Sequence, residues 1–309
     1  MRYFIVINTS AGRQQTDSAQ TLIAEVLMAA HAEHEFLLTR ADQDINAVAQ
    51  LGAFKARTQH GAVVAVGGDG TINAVASAAL DHDVPFGVIP QGTFNYYGRE
   101  HGIPQDAEAA TRALLGARVE RQQVGWVNKR LFLINASLGL YARVQEERET
   151  YKRQFGRSRV TAVLAGLLTL LAQPRKLMLE IETDGRFEVL ATPSLFVANN
   201  RLQMGRIGLD EPELDALENG RLAAIVVKPT SGARLFALAL RGALGRLSAD
   251  ENISSFSFKR MQVRPRRDKF LKVSADGEVQ LMRTPLVFSV GPRALKLLLP
   301  AEIDRVAIA

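Results

Sequence analysis

The chain has 309 residues, 47% hydrophobic and 23% charged, enough to bury a sizeable core and, on the usual domain scale, about two domains. Cysteine is absent, which excludes disulfides, thiolate zinc sites, iron–sulfur clusters and a cysteine nucleophile. A formal net charge of +6 permits an anionic partner, but aromatic residues are only 6% and none interleaves with basic clusters, which argues against nucleic acid.

Residues 1–8, MRYFIVIN, read as a short strand; no long apolar region or small-residue cleavage site follows, so they are not a signal peptide. This strand ends in the small polar loop Asn8-Thr9-Ser10-Ala11-Gly12, the kind of tip at which open α/β sheets bind ligands. Helical spacing over 18–31, a strand at 35–39 and a helix at 45–56 follow.

Residues 61–78, GAVVAVGGDGTINAVASA, then organise the chain. The apolar run 62–66 is too short for a capped helix and reads as a buried parallel strand. Gly67, Gly68 and Gly70 let the backbone turn sharply and bring bare N–H groups against a ligand. The helix expected right after the turn points its positive end into the same space, which suits a phosphate. Asp69 in the middle of the loop does not suit a bare anion and implies a divalent cation travelling with the phosphate.

A further strand at 85–89 ends in PQGTFN at 90–95, and a helix is expected over 106–115. Strand tips rich in Gly, Asn, Ser and Thr, alternating with helices, point to a parallel sheet with a nucleotide crevice at its carboxyl edge. The chain has neither a P-loop lysine motif nor a G-x-G-x-x-G after the first strand, which disfavours P-loop kinases and Rossmann dehydrogenases.

Beyond about residue 121 the pattern changes to short β-type runs, among them 123–127, 130–135, 176–182, 188–197, 221–227, 252–258, 261–264, 272–275 and 286–290. Turn pairs such as Asp184-Gly185 and Asn219-Gly220 separate them, and apolar helices are expected at 160–172 and 234–247. The expected architecture is an N-terminal parallel α/β domain, 1–122 with 293–309 returning to it, and an antiparallel β-sandwich domain, 123–292. The longest apolar runs fall short of the roughly 20 residues of a membrane-spanning helix, so a cytoplasmic protein is expected, at most peripheral at the inner membrane face.

Three elements stand together: GGDGT at 67–71 followed by Asn73, GTFN at 92–95, and the distant SADGE with Asp276 and Glu278. With NTSAG at 8–12, INASLG at 134–139 and FVANNRLQMGRIGL at 196–209 in order, nearly the whole chain resembles the diacylglycerol kinase catalytic-domain family. That family, NAD kinase-like in fold, includes sphingosine kinases and bacterial lipid kinases. The resemblance implies ATP- and Mg²⁺-dependent phosphorylation of a lipid hydroxyl, diacylglycerol-like by default. Carried over by position, Asn8, Thr9, Ser10, Ala11, Gly12, Thr39, Val66, Gly67, Gly68, Asp69, Gly70, Thr71, Ile72, Thr93 and Asn95 would hold the nucleotide. Asp276 and Glu278 would be the catalytic pair, one of them the general base. Read without the resemblance, SADGE is equally a hairpin turn.

The chain departs from the family pattern at three places. Ala74 and Tyr96 stand where the family has Glu and Asp, and Asn219 stands where bacterial members have the Asp of a structural Mg²⁺ site. That site would comprise Ala216, Asn219 and Arg221; without the charge of an Asp it is expected to be weak or empty. The departures keep open a catalytically silent nucleotide- or lipid-binding relative, alongside a kinase of a water-soluble alcohol. Basic residues around the helix at 160–172, and Arg234 and Arg241 seven apart on the helix at 234–247, suggest an anionic membrane surface as partner. A homodimer is compatible with the sequence.

Overall fold

The structure, a computed structural model, describes residues 1–9, 13–39, 43–140, 142–146, 176–247, 250–291 and 294–307. Ser10, Ala11 and Gly12 and the helix expected at 160–172 lie outside the described residues. The chain divides into two units, Met1–Val124 with Pro292–Ala309, and Gly125–Gly291.

The first unit is built on a six-stranded sheet in the order β2-β1-β3-β4-β18-β5. Its strands are β1 (Tyr3–Ile7), β2 (His34–Leu38), β3 (Ala62–Gly67), β4 (Phe86–Pro90), β5 (Arg118–Gln122) and β18 (Leu295–Leu299). β1 to β4 and β18 are parallel, and β5 is antiparallel to β18. β1, β3 and β4 are Val/Ile/Ala-rich and buried along their length, as strands covered on both faces must be. The crossovers are α1 (Arg13–Ala29), α2 (Ile45–Thr58), α3 (Asp69–His82), α4 (Tyr96–Glu100) and α5 (Ala107–Leu115). Asp44 and Asp106 cap α2 and α5 with their carboxylates, onto Asn46 N at 3.0 Å and Ala109 N at 3.0 Å. β5 reads RVERQ, too charged to be seen as a strand, because it lies at the sheet edge and pairs only with β18.

The second unit is a sandwich of two six-stranded antiparallel sheets, β10-β9-β14-β17-β6-β7 and β13-β12-β11-β8-β15-β16. The first sheet comprises β6 (Gly125–Val127), β7 (Arg130–Phe132), β9 (Leu177–Thr183), β10 (Arg186–Thr192), β14 (Arg260–Pro265) and β17 (Leu286–Val290). The second comprises β8 (Asn135–Gly139), β11 (Ser194–Ala198), β12 (Leu222–Val227), β13 (Ile253–Phe258), β15 (Phe270–Ala275) and β16 (Glu278–Arg283). One apolar core fills the space between them, with Phe132, Leu179, Val263 and Phe288 from one sheet and Leu138, Leu195, Phe258 and Val273 from the other. Three helices, α6 (Arg201–Ile207), α7 (Glu211–Glu218) and α8 (Gly232–Ala243), belong to this unit, and Met204, Leu214 and Leu217 of the first two pack on Ala223 and Ile225 of β12.

Three differences from the expected elements have physical causes. The run 130–135 is not one strand: it ends β7 and begins β8, crossing from one sheet to the other at Leu133-Ile134. α6 and α7 are each too short to show a helical period. The arginines of α8 do not stand as free headgroup contacts. Both bind the carboxylate of Asp250, Arg234 at 3.1 Å and Arg241 as a close ion pair at 2.5 Å, while Asp250 itself is almost fully buried. Asn252 donates its side-chain and backbone N–H to the same carboxylate at 2.9 and 3.0 Å. Those Asn252 bonds first, then the arginine charges, hold the Asp250 carboxyl below the ordinary aspartate range.

Candidate functional site

The glycine loop turns in a different way from the one its sequence suggests. None of Gly67, Gly68 and Gly70 adopts a left-handed conformation, and α3 starts at Asp69, so Gly70 and Thr71 already belong to its first turn. The glycines serve close approach instead. A Cβ on Gly67 would lie 2.7 Å from the Thr71 side chain, and one on Gly92 would lie 2.7 Å from Gly68 Cα. The tips of β3 and β4 are thus packed backbone on backbone, and Gln91 N donates to Gly67 O at 2.9 Å. Gly70 alone faces open space.

At the start of a helix the first N–H groups have no intrahelical acceptor. Ile72 N closes the first helical bond onto Gly68 O at 3.0 Å, and Gly68 supplies no side-chain cap. The amides of Gly70 and Thr71 find no acceptor among the described residues. Asp69 stands at the first helical position, half-buried, where the helix dipole favours a carboxylate.

The neighbouring strand tips frame this turn. Asn8 Nδ2 donates to Thr71 Oγ1 at 3.3 Å, tying the end of β1 to α3. Thr9 N donates to Thr39 Oγ1 at 3.0 Å and Thr9 Oγ1 donates to Thr39 O at 2.7 Å, joining the tips of β1 and β2. A cleft of about 500 Å³ opens here, lined by Ile7, Asn8, Val66, Gly67, Gly68 and Thr71 and, from farther along the chain, by Leu22, Gln91, Gln105 and Asp106. The structure thereby gathers Asn8, Val66, Gly67, Gly68, Asp69, Gly70 and Thr71 of the expected nucleotide set at one sheet edge, with Thr9 and Thr39 bracing it.

Other members of that set are used inside the fold. The Ile72 side chain is fully buried. Asn95 is left-handed, and its amide closes its own loop, Oδ1 accepting from Gly92 N at 2.8 Å and Nδ2 donating to Gly92 O and to Gln105 Oε1, each at 2.9 Å. Thr93 lies in that loop. Tyr96 stacks parallel on the half-exposed ring of Phe94, 5.8 Å between centroids. Gln91 and Gln105 are cleft residues that sequence reasoning passed over; their only signal is a polar residue directly after a strand or before a helix cap.

In the second unit, Asp276 and Gly277 form the two-residue turn between β15 and β16, both left-handed, with Ala275 opposite Glu278. The Asp276 carboxylate accepts three consecutive amides at the β7–β8 crossing: Leu133 N at 2.7 Å, Ile134 N at 2.9 Å and Asn135 N at 2.9 Å. SADGE is therefore a hairpin turn, and one of its acids is a structural anchor. Glu278, by contrast, is exposed and ion-paired to Arg130.

The loop of the expected weak or empty metal site, formed by the carbonyls of Ala216 and Arg221 and the side chain of Asn219, is bonded within the protein. Ala216 O accepts from both Asn219 N and Arg221 N at 3.1 Å, and Asn219 Nδ2 donates to Asp215 O at 2.8 Å. The Arg221 guanidinium reaches Asp184 and Ser257 instead. Ala216 O is thus already an acceptor within the loop, and among the described residues there is no cluster of three or more His, Cys, Asp or Glu side chains that could hold a cation.

A parallel α/β unit with an open helix N-terminus at its carboxyl edge, joined to an antiparallel sandwich, defines the class. Residues 2–127 match the diacylglycerol kinase catalytic domain, and residues 135–299 match the YegS C-terminal NAD kinase beta sandwich-like domain. The chain belongs to the diacylglycerol kinase catalytic-domain family, a family of kinases. A Staphylococcus aureus (strain MSSA476) protein named as a candidate lipid kinase is 25% identical over 238 residues, 75% of each chain. Two Bacillus anthracis (strain Sterne) structures, each named as a candidate diacylglycerol kinase, share the fold. One has a TM-score of 0.74 at 19% identity over 98% of both chains, the other 0.71 at 20% over 96%. No helix among the described residues is long and apolar enough to cross a membrane.

Proposed function

We propose that the chain is an ATP-dependent kinase of a diacylglycerol-like lipid. The observation that carries this reading is the turn at Gly68: Gly67, Gly68 and Thr71 line the cleft at the positive end of α3, whose first position is Asp69. In the proposed step the lipid oxygen bonds to the γ-phosphorus, the bond from that phosphorus to the β–γ bridging oxygen breaks, and ADP leaves. The lipid proton passes to a carboxylate. Glu278 suits that role better than Asp276, because it is exposed and bound only through a guanidinium, whereas Asp276 is held by three amides. Mg²⁺, when bound with the nucleotide, would neutralise phosphate charge, and Asp69 would orient it.

The acceptor is taken to be lipid because relatives at 25% identity carry lipid-kinase names. The exposed Phe236, Leu240 and Leu244 along α8 and its continuation favour contact with a membrane surface, while Arg234 and Arg241 brace the helix on Asp250. A second reading, a silent nucleotide-binding relative, is favoured by one observation: the buried Ala74 and the stacked Tyr96 bring no carboxylate to the loop.

Transfer of γ-labelled phosphate from ATP into a total lipid extract in mixed micelles separates them. A labelled lipid made by the wild type and lost in Asp69→Ala supports the lipid kinase. Tight ATP binding with no labelled product supports the silent relative.

A further inference from the structure

The cleft beside the glycine turn has two kinds of wall. At Gly67, Gly68 and Thr71 it meets the positive end of α3. Ala19 and Leu22 of α1, Ala107 at the start of α5, and Ile7 and Val66 of the strand tips give it an apolar side. No lysine or arginine lines it, and its one charged side chain, Asp106, has an oxygen committed to Ala109 N in capping α5. A cleft of about 500 Å³, apolar in part with a few fixed polar groups, has the make-up of a site for a whole small molecule.

Gln105, which also lines the cleft, is such a fixed polar group. Its Nε2 donates to Ile103 O at 2.8 Å, and its Oε1 accepts from Asn95 Nδ2 at 2.9 Å. Asn95 is bonded in both directions to Gly92, which packs against Gly68. The Gln105 amide therefore cannot turn over without breaking both of its bonds. A side-chain amide has two N–H hydrogens and an oxygen with two lone pairs, so one donor and one acceptor remain. Gln105 lies outside every motif through which the chain resembles its family.

We propose that Gln105 reads the base of the nucleotide and selects adenine. The inference rests on the kinase reading above, in which the phosphates take the α3 end of the cleft. Adenine carries a donor beside an acceptor on both of its edges, N6–H with N1 and N6–H with N7, which matches an amide. Guanine has two acceptors, O6 and N7, on one edge. On its other edge, O6 and N1–H stand in the reverse order. An amide free to turn over would take either base; one pinned at both ends does not follow the exchange. A carboxylate with both oxygens free would suit the N1–H and N2–H of guanine, but Asp106 has one of its two engaged.

The test is calorimetric titration of the whole chain, wild type beside Gln105→Ala, with ATP, GTP and inorganic tripolyphosphate, each with Mg²⁺. The wild type should bind ATP about 10- to 100-fold more tightly than GTP, the usual discrimination of a bidentate pair. Gln105→Ala should lose that preference through weaker ATP binding, with tripolyphosphate affinity unchanged. Gln105→Glu, which offers acceptors only, should shift the preference toward GTP. Equal or tighter binding of GTP by the wild type would overturn the inference, and so would a preference for ATP that survives Gln105→Ala. Parallel loss of ATP and tripolyphosphate affinity would also overturn it, because the side chain would then act only by bracing the Asn95 loop. Labelled lipid formed equally well from either triphosphate would overturn the inference and leave the kinase reading standing. Base preference lost in Gln105→Ala, with no phosphate transfer by the wild type, would overturn the kinase reading alone.

Discussion

The two units each gather consecutive backbone amides around an anion position, and they finish the job differently. In the sandwich, the amides of Leu133, Ile134 and Asn135 close on the chain's own Asp276, delivered by a left-handed turn some 140 residues later in sequence. In the α/β unit, the amides of Gly70 and Thr71 close on nothing among the described residues, and no left-handed residue shapes the loop. One cradle is filled by the chain itself; the other is open, as the proposed nucleotide site requires. An acidic residue inside a motif is therefore not catalytic by virtue of its place in the motif. What its oxygens already accept decides.

The largest expected effect sharpens this contrast within three residues. Glu278→Gln should lower phosphoryl transfer by about 10²–10⁴-fold, the usual worth of a general base. Its thermal midpoint should hardly move, since exposed substitutions stay within about 0.5 kcal/mol. Asp276→Ala should instead destabilise the sandwich by about 2–4 kcal/mol, measured by urea unfolding, because three amides lose their acceptor. An active Glu278→Gln or a fully stable Asp276→Ala would break the comparison.

Next in size is a difference in acid sensitivity. Burial first, and then the Arg305 charge, lower the pKa of His101 to about 4, with the Tyr97 ring edge-on 4.6 Å from its own. The unfolded chain protonates this histidine more readily. Stability of the α/β unit is therefore untouched above pH 6.5 and falls as the pH drops from 6.5 towards 4, by up to about 3 kcal/mol. The sandwich has its resolved acid-sensitive carboxylate in Asp250, whose pKa is depressed. Its contribution is present above the unfolded aspartate value of 3.8 and is lost only as the pH falls through the lower folded value. Hydrogen exchange at pH 5 should show the parallel sheet losing protection first, and His101→Gln should abolish the difference.

The smallest effects concern the glycines. Gly92→Ala places a Cβ 2.5 Å from Asn95 Oδ1 and should cost about 1–3 kcal/mol of stability. Gly70→Ala meets no neighbour within 4 Å and should stabilise α3 by about 0.5 kcal/mol. It nonetheless crowds the open amides, so ATP affinity should fall roughly tenfold, read by calorimetry. Unchanged ATP affinity would remove the open cradle from the nucleotide site.

Local signals carried most of the first unit: apolar strands, capping Asp residues and small polar strand tips reveal the parallel sheet and the edge where the cleft opens. What stayed hidden depends on distant partners. β5, RVERQ, is a strand only because β18 pairs with it, Leu295 opposite Gln122 and Leu299 opposite Arg118. The spacing of Arg234 and Arg241 reads as a charged surface until Asp250, buried beyond the helix, takes both guanidiniums. The anchoring role of Asp276 is invisible in SADGE itself, since its partners lie at the crossing between two sheets. Glycine was legible as a requirement at 67, 68 and 70, but its reason at 67 and 68 is close approach, to Thr71 and to Gly92, and not backbone conformation, while at 70 no neighbour lies within 4 Å.

The place of β18 sets the order in which the molecule can be made. Residues 125–291 are spliced between two strands of one sheet, so a ribosome must release the whole sandwich before the strand that joins β4 to β5 exists. During that interval the nascent α/β unit carries β4 as a bare, apolar edge and β5 as a strand with no neighbour. The first domain to be synthesised is thus the last to be completed. A premature stop at 292 would leave a finished sandwich tethered to a sheet that lacks its closing strand, a product for chaperones and proteases.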